Sequence, residues 1–366
     1  MASPAVDDDL DFAPRHTTEV IGHASAEAEI ARAWQSGSMP HAWLLSGPRG
    51  IGKATLSYRI ARAVLAQSPG GAALFGPAEP GPLRDVAPDH PVFRRVAEQA
   101  HPDLCVVQTT VNPKTGRLRE EIVVEDARAA IEFFNLTPAE GGWRVAIVDA
   151  ADELNEESAN SLLKVIEEPP QRGLILLVTH RPGFVLPTIR SRCRALRMKP
   201  LEADDVAKVL AAKWPELPAE DMPALIAMAE GSPGRAIALA QSDGVGFYRD
   251  FVRWMGNLPN VDVALMHKVA DRLARREFGA GYRVLAGLPE WGLVRAVRNG
   301  AGLPPAAEVV PGEVEVFGRV VRRRNLEHWV GVWEKVSQLL AQGIALNLDR
   351  KALALNVLSA LGRAAR

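Results

Sequence analysis

Residues 41–55 read HAWLLSGPRGIGKAT, and the order of these fifteen residues decides the fold. The apolar run from Ala42 to Leu45 has strand length and stops at Gly47-Pro48, a turn signal. Beyond it Leu56, Ile60, Ala63 and Val64 recur at helical spacing, predicting a helix over 55–66. Strand, glycine-rich turn and helix in this order are the setting of a phosphate-binding loop. Gly47, Gly50, Gly52 and Lys53 fit the pattern G-x-x-x-x-G-K-S/T at every fixed position but the last. Glycines let the chain wrap so that backbone N–H groups and the helix N-terminus face phosphate oxygens, and Lys53 supplies charge. A glycine-rich turn without a ligand is the plainer alternative.

The last position departs from the pattern. Ala54 stands where a hydroxyl normally meets a magnesium ion, and Thr55 is displaced by about 100° around a helix of ~3.6 residues per turn. Phosphate binding survives this change on paper; metal positioning does not.

Two more buried strands are predicted downstream, WRVAIVDA at 143–150 and LILLVTH at 174–180. Between them a helix is expected over about 155–166, with Leu162, Leu163 and Ile166 on one face and a stop at Pro169-Pro170. Strands alternating with helices over the first 200 residues predict a parallel sheet covered by helices. The second strand delivers Asp149 to the C-terminal edge of such a sheet, where ligands bind and where a magnesium-binding carboxylate is usually carried. A helix-capping or solvated strand-end acid is the alternative for Asp149. Asp152 and Glu153 are expected on the turn into the helix rather than in the site. The Gly/Pro-rich stretch 68–103 has weak periodicity and reads as a mobile excursion. After Pro200 the pattern becomes helical: a small unit at 201–243, then 244–366 with one Pro/Gly-rich loop at 302–313.

Composition narrows the class. The chain has 366 residues, 47% hydrophobic and 24% charged, which suits several folded domains and excludes pervasive disorder. No run approaches the roughly 18 apolar residues of a membrane span, and the acidic stretch 1–16 lacks the apolar core of a secretory signal, so a cytoplasmic protein is expected. Two cysteines, Cys105 and Cys193, and eight scattered histidines offer no four-ligand set, so no zinc and no other metal site is expected. The net charge of −1 hides a split: 18 Lys and Arg against 11 Asp and Glu from Gly244 onward, and 25 against 33 before it. A solvated helical surface explains this as simply as a nucleic-acid face or an acidic partner. Trp254, Trp291, Trp329 and Trp333 sit on amphipathic helices and read as core anchors rather than base-stacking platforms.

Taken together, SGPRGIGKAT, VAIVDAADELNEESANSLLKVIEEPP, VLPTIRSRC and GSPGRAIAL resemble the bacterial clamp-loader subunits of the AAA+ class, the delta-prime family of the DNA polymerase III holoenzyme most closely. These motifs lie between about residues 20 and 242; the helical remainder is compatible but carries no distinctive motif until NLDRKALALN at 347–356. The resemblance implies an α/β AAA+ P-loop domain at 1–200, a small helical lid at 201–243 and an all-α oligomerisation collar at 244–366.

It also implies roles for single residues. Arg192, in Ser191-Arg192-Cys193, falls on the arginine finger that acts in trans on a neighbour's triphosphate. Gly47, Gly50, Gly52, Lys53, Thr55 and Asp149 fall on the nucleotide site. Thr179 falls near the sensor position at the end of the third strand, with His180 as the alternative, and Arg235 falls on the second sensor arginine of the lid. Active AAA+ ATPases place a glutamate after the strand-end aspartate; here Ala150 follows Asp149. With Ala54 this points to a stator that hydrolyses no ATP itself, while ATP or ADP binding stays open. The family often carries a four-cysteine zinc module that is missing here, and some of its members lack the phosphate loop that this chain largely keeps. The implied partners are the tau/gamma ATPase and delta subunits, and the sliding clamp and primed DNA through the complex. The alternative within the same machine is a tau/gamma-like motor subunit. A small-molecule kinase or a helicase using the same loop leaves the SRC turn and the helical second half unexplained.

Overall fold

The computed structural model describes residues 13–67, 85–116, 118–275, 281–303, 307–346 and 348–366. The chain divides into two compact units, 1–205 and 206–366. The boundary expected at residue 243 falls within the second of them.

The first unit is the predicted parallel α/β layer structure. Its elements run α1 (Ala24–Gln35), β1 (Ala42–Ser46), α2 (Lys53–Leu65), α3 (Pro91–Ala97), β2 (Leu104–Gln108), α4 (Val124–Asn135), β3 (Arg144–Asp149), α5 (Glu156–Glu167), β4 (Gly173–Thr179), α6 (Pro187–Arg190) and β5 (Arg194–Arg197). The strands form one parallel sheet in the order β2-β3-β4-β1-β5. Central strands covered on both faces lose their solvent side, which is why β1, β3 and β4 read as unbroken apolar runs.

Helices cover this sheet for local reasons. The Asn155 side chain accepts the Ser158 N–H and caps α5, whose first turn holds Glu156 and Glu157; Pro169-Pro170 then bar its continuation. Leu162, Val165 and Ile166 of α5 pack with Leu44, Ala146, Ile175 and Leu177 in one core.

The stretch expected to be a mobile excursion is only partly described, since 68–84 lie outside the described residues. The remainder holds a correction: α3 is a helix with Pro91 in its first turn and the His90 side chain accepting the Val92 N–H. It buries Val92, Phe93 and Val96, and tertiary packing of this kind is what fixes a helix of only seven residues, about two turns.

The second unit is all-helical as expected. It comprises α7 (Ala203–Lys213, beginning at the boundary), α8 (Met222–Ala229), α9 (Pro233–Gln241), α10 (Gly244–Gly256), α11 (Val263–Ala274), α12 (Gly281–Ala286), α13 (Leu288–Gly300), α14 (Glu313–Val321), α15 (Leu326–Ala345) and α16 (Arg350–Ala364). Trp254 and Trp329 are core anchors with no exposed surface, and Trp291 packs edge-on against Tyr248. Trp333 departs from expectation: it lies 37% exposed on α15. Inside this core Glu313 on α14 is almost fully buried. It accepts from Tyr248 Oη at 2.7 Å, from Arg295 Nε at 2.6 Å and from the Val309 N–H at 2.8 Å. Arg322, Arg323 and Arg324 are exposed just beyond the C-terminus of α14, where positive charge complements the helix dipole.

Candidate functional site: a phosphate loop and an arginine at opposite sheet edges

Register places the predicted site residues together. Ser46 at the end of β1 pairs with Thr179 at the end of β4, and Asp149 at the end of β3 pairs with Val178. The loop of Gly47, Gly50, Gly52, Lys53 and Thr55 therefore leaves the same edge of the sheet that carries Asp149 and Thr179.

Within the loop, Gly47 is required by close approach: a Cβ there would lie 2.4 Å from the Met198 carbonyl oxygen and 2.8 Å from Ile51 Cδ1. Gly52 is required by conformation, since it caps α2 at φ +99°, which side chains rarely adopt. The helix begins at Lys53, two residues earlier than the apolar spacing predicts, so its free N–H groups open directly onto the loop. His23, buried before α1, donates from Nε2 to the Ile51 carbonyl at 2.6 Å and braces the loop from behind. Sequence reasoning did not single out His23; a lone histidine ahead of a helix carries no signal.

Lys53 is 3% exposed and its ammonium donates to the carbonyls of Gly47, at 2.7 Å, and Pro48. Burial brings its pKa down from 10.5 to about 8; Asp149 and Asp152 oppose the shift and Arg49 adds to it. Ala54 presents no oxygen at the second helical position. The donor set thus fits a phosphate group but leaves a magnesium ion only Asp149 of its usual two protein ligands.

Asp152 is a site residue that the sequence reading set aside. It does lie on the turn Ala151–Glu153, as expected, but that turn folds it against the end of β4. Its carboxylate accepts from Thr179 Oγ1 at 2.9 Å, from the His180 N–H at 2.8 Å and from Arg181 Nε at 3.2 Å. Burial alone would raise its pKa; the three donors outweigh burial and hold the carboxyl below its ordinary value. A carboxylate held in this way is a poor proton acceptor. Ala150 itself is buried and its side chain brings no polar atom.

Thr179 is wholly buried and its hydroxyl is committed to Asp152. Next to it, His180 is pushed down to about 4, first by burial, then by Lys53 and Arg49, against the opposing Asp152. Its imidazole is neutral at physiological pH, and its buried Nδ1 has no hydrogen-bond partner among the described residues.

Arg192 belongs elsewhere. Two residues after it, Arg194 opens β5 in register with Trp43 near the start of β1, whereas the phosphate loop follows the end of β1. A strand of five residues at ~3.3 Å each puts about 15 Å of sheet between Arg192 and Lys53. Arg192 Nε pairs with Glu167 at the C-terminal end of α5, 2.8 Å away. Its neighbour Cys193 is partly buried against the core, and burial pushes its thiol up to about 12. Arg235 lies in the second unit, where Ser232 caps α9. Its guanidinium lies 3.3 Å from Glu230 and over the Trp291 ring. Its Nε is buried without a partner among the described residues. Among those residues no group of three or more His, Cys, Asp or Glu side chains is placed to hold a metal ion, and no helix is long and apolar enough to cross a membrane.

Residues 22–202 match the family described as DNA polymerase III, delta subunit. The chain is 34% identical over 193 residues to DNA polymerase III subunit delta′ of Pseudomonas aeruginosa, covering 53% of this chain and 53% of that protein. It is 28% identical over 288 residues to subunit gamma/tau of Mycobacterium bovis, covering 75% of this chain and 46% of that protein. The chain therefore spans about half the length of these relatives. A solved gamma subunit-related protein from Thermotoga maritima superposes over 93% of this chain and all of its own, at 18% identity and a TM-score of 0.40.

Proposed function

We propose, from the match of residues 22–202 to the DNA polymerase III delta-subunit family, that the chain is a delta-prime-like stator of the bacterial clamp loader. It stands beside a tau/gamma-type ATPase subunit, with a delta-type subunit in the same ring. It donates Arg192 to the neighbour's ATP while the sliding clamp is placed on primed DNA during replication, in the cytoplasm. Residues 201–243 serve as lid, with Arg235 as its sensor arginine, and 244–366 as oligomerisation collar.

One observation carries the reading: Arg192 lies at the sheet edge opposite Lys53, so it cannot serve the phosphate loop of its own chain. A fixed guanidinium charge facing out of one subunit suits the charge that builds on a γ-phosphoryl group in the next. The chain's own loop is suited to hold ATP or ADP by its phosphates through Gly47, Gly50, Gly52, Lys53 and the α2 N-terminus, with Thr55, Asp149 and Thr179 around it. Bound nucleotide would supply negative charge that draws the Lys53 ammonium off its loop carbonyls. Ala54 and Ala150 lack the hydroxyl and carboxylate that would complete a metal site and polarise a water, so the nucleotide is held rather than cleaved.

The test is a reconstituted complex with Arg192→Ala. Assembly should be unchanged and clamp- and DNA-stimulated ATPase should fall, clamp loading further still. A finger is worth roughly 10³–10⁵ in rate at its own site, but other sites keep theirs, so the total loss is partial. Arg190→Ala, two residues away, should do less. Wild-type clamp loading by an assembled Arg192→Ala complex would refute the role.

The likeness to gamma/tau extends over more of this chain than the likeness to delta′ does, and this favours a second reading as a motor subunit. ATP hydrolysis by the isolated chain separates the two.

A further inference from the structure

We infer that Glu167 is the positioning residue of Arg192, an inference that rests on the trans-acting role proposed above. The guanidinium of Arg192 is restrained at two of its nitrogens. Nε pairs with Glu167 Oε1 at 2.8 Å, and Nη1 donates to the Thr188 carbonyl at 3.1 Å and to Ser191 Oγ at 3.3 Å. The side chain is 41% exposed. An ion pair at Nε and hydrogen bonds from Nη1 restrain an otherwise floppy, partly exposed side chain. A group meant to meet a phosphoryl oxygen needs this: a mispositioned charge loses most of its effect on a transition state.

The place of Glu167 supports the assignment. An acid in the last turn of a helix sits at the wrong end of the helix dipole, and α5 ends on two of them, Glu167 and Glu168. Helix stability does not explain an acid there, whereas pairing with Arg192 does. Glu168 has no ion pair among the described residues and so serves as an internal control. Both partners of the Glu167–Arg192 pair are about half exposed, so the pair contributes little to stability and can be removed without unfolding the chain.

The experiment uses the reconstituted complex with ATP, sliding clamp and primed DNA. Glu167→Ala should leave melting and assembly unchanged and lower kcat at the site Arg192 serves by about tenfold, within the range that coupled neighbours span. KM for ATP should stay constant, because the guanidinium acts on the transition state. Glu167→Gln keeps an acceptor oxygen and should restore most of the rate; Glu168→Ala should be silent. In an Arg192→Ala background, Glu167→Ala should have no further effect. The inference is overturned by a silent Glu167→Ala where Arg192→Ala is damaging. An equal loss in both backgrounds also overturns it, as does a rise in activity, which would make Glu167 a restraint. If Arg192→Ala is itself silent, the trans-acting role fails and the positioning role with it; the single variants tell these cases apart.

Discussion

The Thr179 hydroxyl donates to Asp152 Oδ1 at 2.9 Å, tying the end of β4 to the turn that follows β3. These two segments carry Thr179 and the strand-end carboxylate Asp149, so their spacing is held by a bond between side chains 27 residues apart. Hydrogen bonds to a buried charged group contribute about 1.5–3 kcal/mol each. Asp152→Ala, which strands three donors, should destabilise the first unit by at least ~2 kcal/mol. Thr179→Val should cost about 1 kcal/mol. Urea titrations of both variants check this; wild-type stability of Asp152→Ala would disprove the tie.

The same carboxylate gives an acid dependence. Its folded-state pKa lies below the unfolded value of about 3.9, so its contribution is complete above that value. It is then lost as pH falls through the lower folded value. Stability of the wild type between pH 5 and pH 2 should therefore fall more steeply than that of Asp152→Asn.

Lys53 has the opposite dependence. Its folded pKa of about 8 lies below the ordinary 10.5, so between these values the unfolded chain binds the extra proton and stability rises with pH. Lys53→Met should flatten that rise in melting curves taken from pH 7 to pH 10. Nucleotide affinity should run the other way, since the amine that meets phosphate loses its charge above about pH 8. Calorimetric titration with ADP over the same range checks it, and affinity that rises with pH would exclude Lys53 as the phosphate contact.

The isolated chain should turn over no ATP, because Ala54 and Ala150 leave the metal and the water without their usual protein groups. Steady-state turnover near ~1 s⁻¹, abolished by Lys53→Ala, would show the motor reading to be right.

In the second unit, Glu313 joins Tyr248, Arg295 and the Val309 N–H inside an apolar core. Removing one partner of a buried ion pair leaves the other charge uncompensated, at a cost of about 3–5 kcal/mol. Glu313→Ala should therefore melt the helical unit at markedly lower temperature, and Tyr248→Phe, which removes only a hydroxyl, should cost about 1 kcal/mol. Matched thermal melts of the three proteins decide it.

Sequence alone determined whatever depends on neighbours along the chain. The phosphate loop was legible because its glycines, lysine and helix start lie within nine residues. β1, β3 and β4 were legible because a strand buried on both faces must be apolar throughout. The two outer strands escaped notice: Leu104–Gln108 is only partly buried, and Arg194–Arg197 is mostly exposed with arginines at both ends, as suits a sheet edge that solvent reaches. Only the tertiary structure decided which side chains meet. Asp152 finds its donors 27 to 29 residues away, Arg192 finds Glu167 across the end of a helix, and His23 finds the loop carbonyl 28 residues on. Local pattern cannot encode such pairs, because a carboxylate or an imidazole looks the same in a sequence whether it faces water or a buried donor. Parallel register separated Lys53 from Arg192: one leaves the sheet where β1 ends, the other enters it where β1 begins.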